Sequence, residues 1–489
     1  MATLRPLPLA ALTGLLALCA CDLGPDYVRP TVEIPPALRA TPASAVAAWP
    51  GLEWWHGFGS PELDGLIADA RARNDNLAAA AARVLQADAQ VAITGAPLLP
   101  AITGSANGAY DRTGISRGSS SFGGLGGLSR GGGSHFIDSR QYGGSVAISY
   151  QADFWGQNRA AFQASQANAI ASRFDQETVA LTVVTSVAGT YFQALANADQ
   201  LAVAQRNLAS ARQSLQIFRT RVAVGTATAL DVAQQEALVR GEEAQIPNLQ
   251  SVLEQQVIAL GILVGRPPED MHIVTNTLSN MAAPAVSPGL PSELLARRPD
   301  VAFAEAALVA ENANIRAARA AFFPAVQLTT QYGLQSAALS ALFGPGSVLL
   351  QVAGSVVQPI FDNGFRQGNL DFTKGRYAEL LANYRLAVLQ AFTDADTFLT
   401  AYRYATEQER LERQAVAVAQ RASDIARSQL AAGTVDITTV LNTQITLFND
   451  QATLVQVRLI RFQSLVNLFK ALGGGWSLPL GPHEPLGTT

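Results

Sequence analysis

The sequence predicts a mixed α+β membrane protein. Each chain contributes four β-strands to a barrel shared between copies, and the barrel is continued by a long α-helical coiled-coil tunnel. Three observations predict it. The chain is written twice, each copy holds a hairpin of alternating strands, and each hairpin leads into a very long helix without proline. Composition agrees, with 48% apolar and only 15% charged residues over 489 positions, where a globular chain carries about 25% charge. A net charge of −4 supplies no basic field, so nucleic acid is not an expected partner. His56, His135, His272 and His483 are scattered, and three Met make no soft-metal site, so no metal, cofactor or catalytic residue is expected.

The elements follow in order. Residues 1–20 read as a signal peptide: Arg5, an apolar run to Leu18, then small residues. Leu18-Cys19-Ala20-Cys21 resembles a bacterial lipobox, which makes Cys21 the lipid attachment site and 21–60 a lipidated, extended N-terminal segment. No later run is long and apolar enough to predict a transmembrane helix.

The repeat is the most informative feature. Val84–Val91 running to Leu99-Pro100-Ala101-Ile102 matches Leu308–Ile315 running to Phe323-Pro324-Ala325-Val326 at an offset of 224, and Gly225-Thr226 matches Gly433-Thr434 at 208. An insertion of 16 residues therefore lies in the first copy. Residues 112–140, with nine Gly and seven Ser, locate it and read as a flexible loop. The first repeat spans 61–285 and the second 286–472, leaving 473–489 as a tail.

Each repeat opens on an Ala-rich helix (76–97 and 300–322) that ends near a Pro, then a hairpin (101–151 and 325–358). In the first strand Ile102, Gly104, Ala106, Gly108 and Tyr110 oppose Thr103, Ser105 and Asn107. The second and third strands repeat this alternation, while the fourth is apolar on both faces. One-sided strands of about ten residues fit a barrel in lipid. The long helices run 157–222 and 364–431, about 100 Å each at 1.5 Å per residue. Leu201, Ala204, Leu208, Ala211, Leu215, Phe218 and Val222 alternate spacings of 3 and 4, as do Leu411, Ala415, Val418, Ala422 and Ile425; both are coiled-coil seams. Gly225 and Gly433 suit left-handed helix ends. Thr226 or Thr228, and Thr434, are candidates to cap the return helices 228–263 and 436–471.

Four strands cannot close a barrel, since spanning barrels start at about eight and open edges in lipid leave backbone groups unpaired. Closure must be shared between copies, giving a tube with a membrane-embedded mouth.

Trp54-Trp55 with Phe58, the Pro100 and Pro324 strand entries, Asp153-Phe154-Trp155-Gly156, Phe361-Asp362-Asn363-Gly364, the two Gly-Thr tips and the start Gly24–Pro30 together resemble the outer membrane factor (TolC-like) family, lipoprotein branch. The resemblance covers essentially the whole chain. It implies a homotrimer with a twelve-stranded barrel in outer-membrane lipid, a helical tunnel in the periplasm, and docking to a periplasmic adaptor and an inner-membrane efflux transporter. Function is then passive conduction of small molecules such as drugs. A type I protein-secretion duct and a non-conducting periplasmic scaffold remain alternatives. The resemblance makes Gly225, Thr226, Gly433 and Thr434 adaptor-contact tips and places the entrance gate one and two turns beyond the second tip. Where the family carries Asp, this chain has Thr439 and Asn442; Asp231, the first-copy counterpart of Thr439, is the candidate for entrance polarity, or else simply a helix N-terminal acid. Asp22, next to Cys21, raises retention at the inner membrane in some sorting systems, but the strands favour the outer membrane.

Overall fold

A computed structural model describes residues 24, 26–39, 49–115, 135–273, 277–286 and 291–476. The expected signal peptide, Cys21, Asp22 and the end of the tail lie outside the described residues. The helices are α1 (Pro61–Arg73), α2 (Asp75–Gly95), α3 (Gln157–Ala223), α4 (Ala229–Val264), α5 (Pro291–Arg297), α6 (Pro299–Ala320), α7 (Phe365–Ala431) and α8 (Ile437–Ala471). The strands are β1 (Ala101–Ile115), β2 (His135–Ala152), β3 (Ala325–Ser336) and β4 (Val348–Val357). Both repeats therefore take the expected form, and the long helices reach 67 residues each. The chain divides into two compact units, one made of 1–27, 88–167 and 309–378, the other of 28–87, 168–308 and 379–489.

The first unit holds an antiparallel sheet in the order β1-β2-β3-β4. The outer edges of β1 and β4 have no strand partner among the described residues. Register explains the facing. Ser105 pairs with Ser145, their hydroxyls 3.1 Å apart, and the Gln331 amide donates to Ser145 Oγ at 2.8 Å, which builds one polar face. On the other face Val146 pairs with Tyr332, and Tyr332 with Leu350. This pairing settles the fourth strand: Val348, Leu350, Val352 and Val356 share the apolar face, all exposed, Val352 at 74%. An apolar face left bare by its own chain is what contact with lipid requires. The expected loop 112–140 is corrected at both ends, because β1 and β2 continue into it as a paired stem. Arg112 pairs with Asp138 at 3.5 Å and lies over the Phe136 ring, cross-strand contacts that overcome the poor packing capacity of Gly and Ser.

The strand-to-helix turns repeat as well. Asp153 accepts from the backbone N–H of Asn158 and Arg159 at 3.2 and 2.7 Å, and Asp362 from those of Gly364 and Arg366 at 3.1 and 3.2 Å. These carboxylates satisfy donors that a helix start leaves orphaned. Trp155 donates to the Pro324 carbonyl at 2.8 Å and stacks on Phe323, tying the first hairpin's exit to the second's entry.

In the second unit Trp54, Trp55 and Phe58 lock into an aromatic core with Tyr191, Phe192, Phe462 and Phe469; Trp54 stacks on Phe469 at 4.8 Å. Helix α3 includes an 18-residue window apolar enough for a membrane span, which sequence reading did not expect, but 61% of it is buried inside the chain. The two coiled-coil seams differ. In α3, Ala204, Leu208, Ala211, Leu215 and Phe218 are buried; Leu208, Ala211 and Leu215 cluster with Val239, Ala419, Leu447 and Phe448, and Phe218, nearer the tip, with Leu430 and Val440. In α7, Leu411, Val418 and Ile425 are exposed, and the buried row is instead Ala405, Glu409, Ala419, Ser423, Ala426 and Leu430.

Candidate functional site

Each long helix ends where one glycine adopts the left-handed conformation, φ 76° at Gly225 and 74° at Gly433. A Cβ is disfavoured there. Gly225 N–H donates to Val222 O at 3.0 Å and Thr226 N–H to Arg221 O at 2.8 Å; Gly433 N–H donates to Leu430 O and Thr434 N–H to Gln429 O, both at 3.0 Å. This paired closure satisfies carbonyls that the helix end would strand. The threonine hydroxyls add to it, Thr226 donating to Arg221 O and Thr434 to Gln429 O at 3.1 Å each. Thr226 and Thr434 therefore finish the outgoing helices. They do not cap the return helices, because their hydroxyls are spent behind them.

The caps are Thr228 and Asp436. Asp231 N–H donates to Thr228 Oγ1 at 3.3 Å, while the Thr228 N–H and hydroxyl both donate to Asp231 Oδ2 at 2.7 Å. In the second tip Thr439 N–H and its hydroxyl donate to Asp436 Oδ1 at 2.8 and 2.6 Å. The Thr439 hydroxyl and N–H hold the Asp436 carboxyl below the usual carboxylate range. The two tips thus contain the same pair with the roles exchanged: threonine caps and aspartate answers in the first, aspartate caps and threonine answers in the second. Asp231 and Thr439 are brought to equivalent positions. Asn442 is exposed one turn further along α8, its carbonyl accepting from the Thr446 hydroxyl at 2.9 Å.

Sequence reasoning missed Asp436, although an Asp directly before the Ile437 run is an N-cap signal. It also missed Arg221, which donates from Nη2 to Leu430 O at 2.6 Å and joins the last turn of α3 to that of α7. Beneath the tips Phe218, Ala426, Leu430, Ile437, Val440 and Leu441 form an apolar seal. Above it two buried amides reach across, Gln235 donating to Ala211 O at 3.0 Å and Gln444 to Ser214 Oγ at 2.9 Å. Further from the tips Glu409, 1% exposed, takes Arg413, Arg458 and Arg461 together. Burial pushes its carboxyl up; the bonds from Arg458 and Arg413 and the charge of Arg461 outweigh that and hold it below the ordinary value. Among the described residues no three His, Cys, Asp or Glu stand close enough to hold a metal ion.

The outer membrane efflux protein family model matches residues 66–266 and 290–474, one match per repeat. The chain belongs to the outer membrane efflux protein family. It is 37% identical over 468 residues to the pyoverdine export outer membrane protein OpmQ of Pseudomonas aeruginosa, covering 96% of this chain and 97% of that protein. It is 30% identical to the cation efflux system protein CusC of Escherichia coli O6:H1, covering 94% and 97%. Among solved structures, the open state of the MtrE outer membrane channel of Neisseria gonorrhoeae superposes with a TM-score of 0.81 at 29% identity, covering 93% of this chain and 98% of that one. The fold is that of the trimeric outer-membrane channels, in which four strands per chain close a shared barrel and the long helices continue it as a tunnel. This family member is an outer-membrane channel of a tripartite efflux system, and such channels are not enzymes.

Proposed function

We propose that three copies of this chain form a duct for small molecules, handed over by an inner-membrane transporter and a periplasmic adaptor, with Cys21 as the lipid anchor at the outer membrane. The observation that carries the assembly is the sheet: four strands, two unpartnered edges and an apolar face exposed by its own chain. The exposed Leu411, Val418 and Ile425 row supports the same reading, since an apolar seam at coiled-coil spacing needs a second helix, and three copies supply one. Gly225, Thr226, Gly433 and Thr434 form the adaptor-facing tips. Asp231, Thr439 and Asn442 line the entrance, with Asp231 supplying charge there beyond its part in the cap. The low-molecular-weight cargo follows the relatives' roles in pyoverdine export and cation efflux rather than protein secretion.

Planar-bilayer conductance tests this. Reconstituted protein should give discrete conductance steps, and Asp231→Ala should raise the leak above that of Thr228→Ala, which breaks the same cap without removing the charge. Equal leaks in the two variants would reduce Asp231 to a capping residue. Inserted trimers with no steps at all would contradict the duct.

A further inference from the structure

A cavity of about 140 Å³ lies close to the tips, lined from α3, α7 and α8. Its floor is apolar: Phe218, Leu430 and Val440 are each more than nine-tenths buried. Its polar side is cationic. Arg221 and Arg427 both line it, and neither is ion-paired among the described residues. A guanidinium offers five N–H donors. Arg221 directs one bond to Leu430 O, Arg427 one to Ser210 Oγ, and Arg427 Nε is buried with no acceptor. Ser214, 7% exposed, accepts from Gln444 and keeps its own hydroxyl proton to donate.

Two cations without a carboxylate, a buried hydroxyl and an apolar floor, with only the neutral Gln213 amide and Ser214 hydroxyl as side-chain acceptors, are a site with positive charge and donors to spare. Attraction to the negative end of α3 accounts for Arg221 in its last turn, but not for Arg427 one turn before the end of α7, for the cavity between them or for the orphaned Arg427 Nε–H. We infer that this cavity binds a small amphipathic anion, with a carboxylate, sulfonate or sulfate head on Arg221 and Arg427 and a short apolar body over Phe218, Leu430 and Val440. Such a ligand bridges the two long helices near their ends and competes with Leu430 O for Arg221, so occupancy alters how the tips are held to one another. The site does not depend on what the duct carries.

The test uses the full-length protein in a nonionic maltoside detergent, titrated with octanesulfonate and, separately, with 1-octanol. The expected result is saturable binding of about one octanesulfonate per chain, weakened at least tenfold in the Arg221→Gln/Arg427→Gln double variant, and no saturable binding of 1-octanol. Binding that survives in the double variant, or that 1-octanol matches, overturns the proposal. A diazirine-bearing octanoate on the wild-type protein keeps the test independent of whether the variant folds. Label on the 213–221 and 427–431 peptides, competed by octanesulfonate and not by octanol, supports the site. Label elsewhere, or a cavity closed to the probe by a neighbouring copy, overturns it.

Discussion

In α3 the 3,4-spaced row Leu208, Ala211, Leu215 and Phe218 turns inward and is consumed by the chain's own α4, α7 and α8, whereas in α7 the row Leu411, Val418 and Ile425 stays exposed at 49, 54 and 57%. Over the same stretch α7 turns inward Ala419, Ser423, Ala426 and Leu430, with the buried carboxylate of Glu409 before them. One repeat has spent its seam on folding; the other leaves its seam exposed, which the proposed assembly uses for contact between copies. The lesson is that duplicated helices need not be duplicated in use, and that a heptad row names a contact without naming the partner.

The largest expected effect tests the inward face of α7. Removing Glu409 leaves Arg413, Arg458 and Arg461 gathered around nothing, and breaking a buried ion pair from one side costs about 3–5 kcal/mol. Glu409→Ala should therefore lower the unfolding midpoint more than any substitution of the exposed row. A sharper version uses pH. The Glu409 pKa is depressed in the folded state, so its stabilisation is complete above the unfolded carboxylate value of about 4.3 and fades as pH falls through the lower folded value. The gap between wild type and Glu409→Ala should be constant near neutrality and shrink below about pH 4.

Next come the two seams. Leu215→Ala should cost about 2–5 kcal/mol by opening a cavity within the chain, read as a lower denaturation midpoint. Val418→Asp should leave helix content unchanged by circular dichroism while reducing the trimer on size exclusion. If Val418→Asp unfolds the chain as Leu215→Ala does, the division between folding seam and assembly seam fails. The smallest effect compares the tips. Thr228→Ala and Asp436→Ala remove one cap each and should each cost about 1 kcal/mol locally, read as faster amide exchange in the first turns of α4 and α8. Unequal losses would mean that exchanging threonine and aspartate between the tips is not neutral for the backbone.

Much of this was legible in the sequence because it is local. The long and return helices end within a residue or two of where the sequence puts them, since the helix-ending Gly225 and Gly433 and the helical periodicity on either side are local signals. The repeat and its insertion were legible from offsets alone. The facing of β4 was not, because both faces are apolar and only pairing with β3 places Val348, Leu350 and Val352 together. The stem reaching into 112–140 was hidden by a Gly and Ser composition that cross-strand contacts overrode. The Glu409 cluster joins residues from 409 to 461 on two helices, and Arg221 meets Leu430 across more than two hundred positions; no spacing rule reports such meetings. Asp231 reads from the sequence as a gate candidate or a helix N-terminal acid, and its bonds with Thr228 show the second of these roles.

The most direct test of the division between the two helices is photo-cross-linking in intact outer membranes, with benzoylphenylalanine placed at Val418 in one protein and at Leu215 in another. The account predicts adducts between chains, of dimer and trimer size, from position 418 and none from position 215. Interchain adducts from 215, with none from 418, would contradict it.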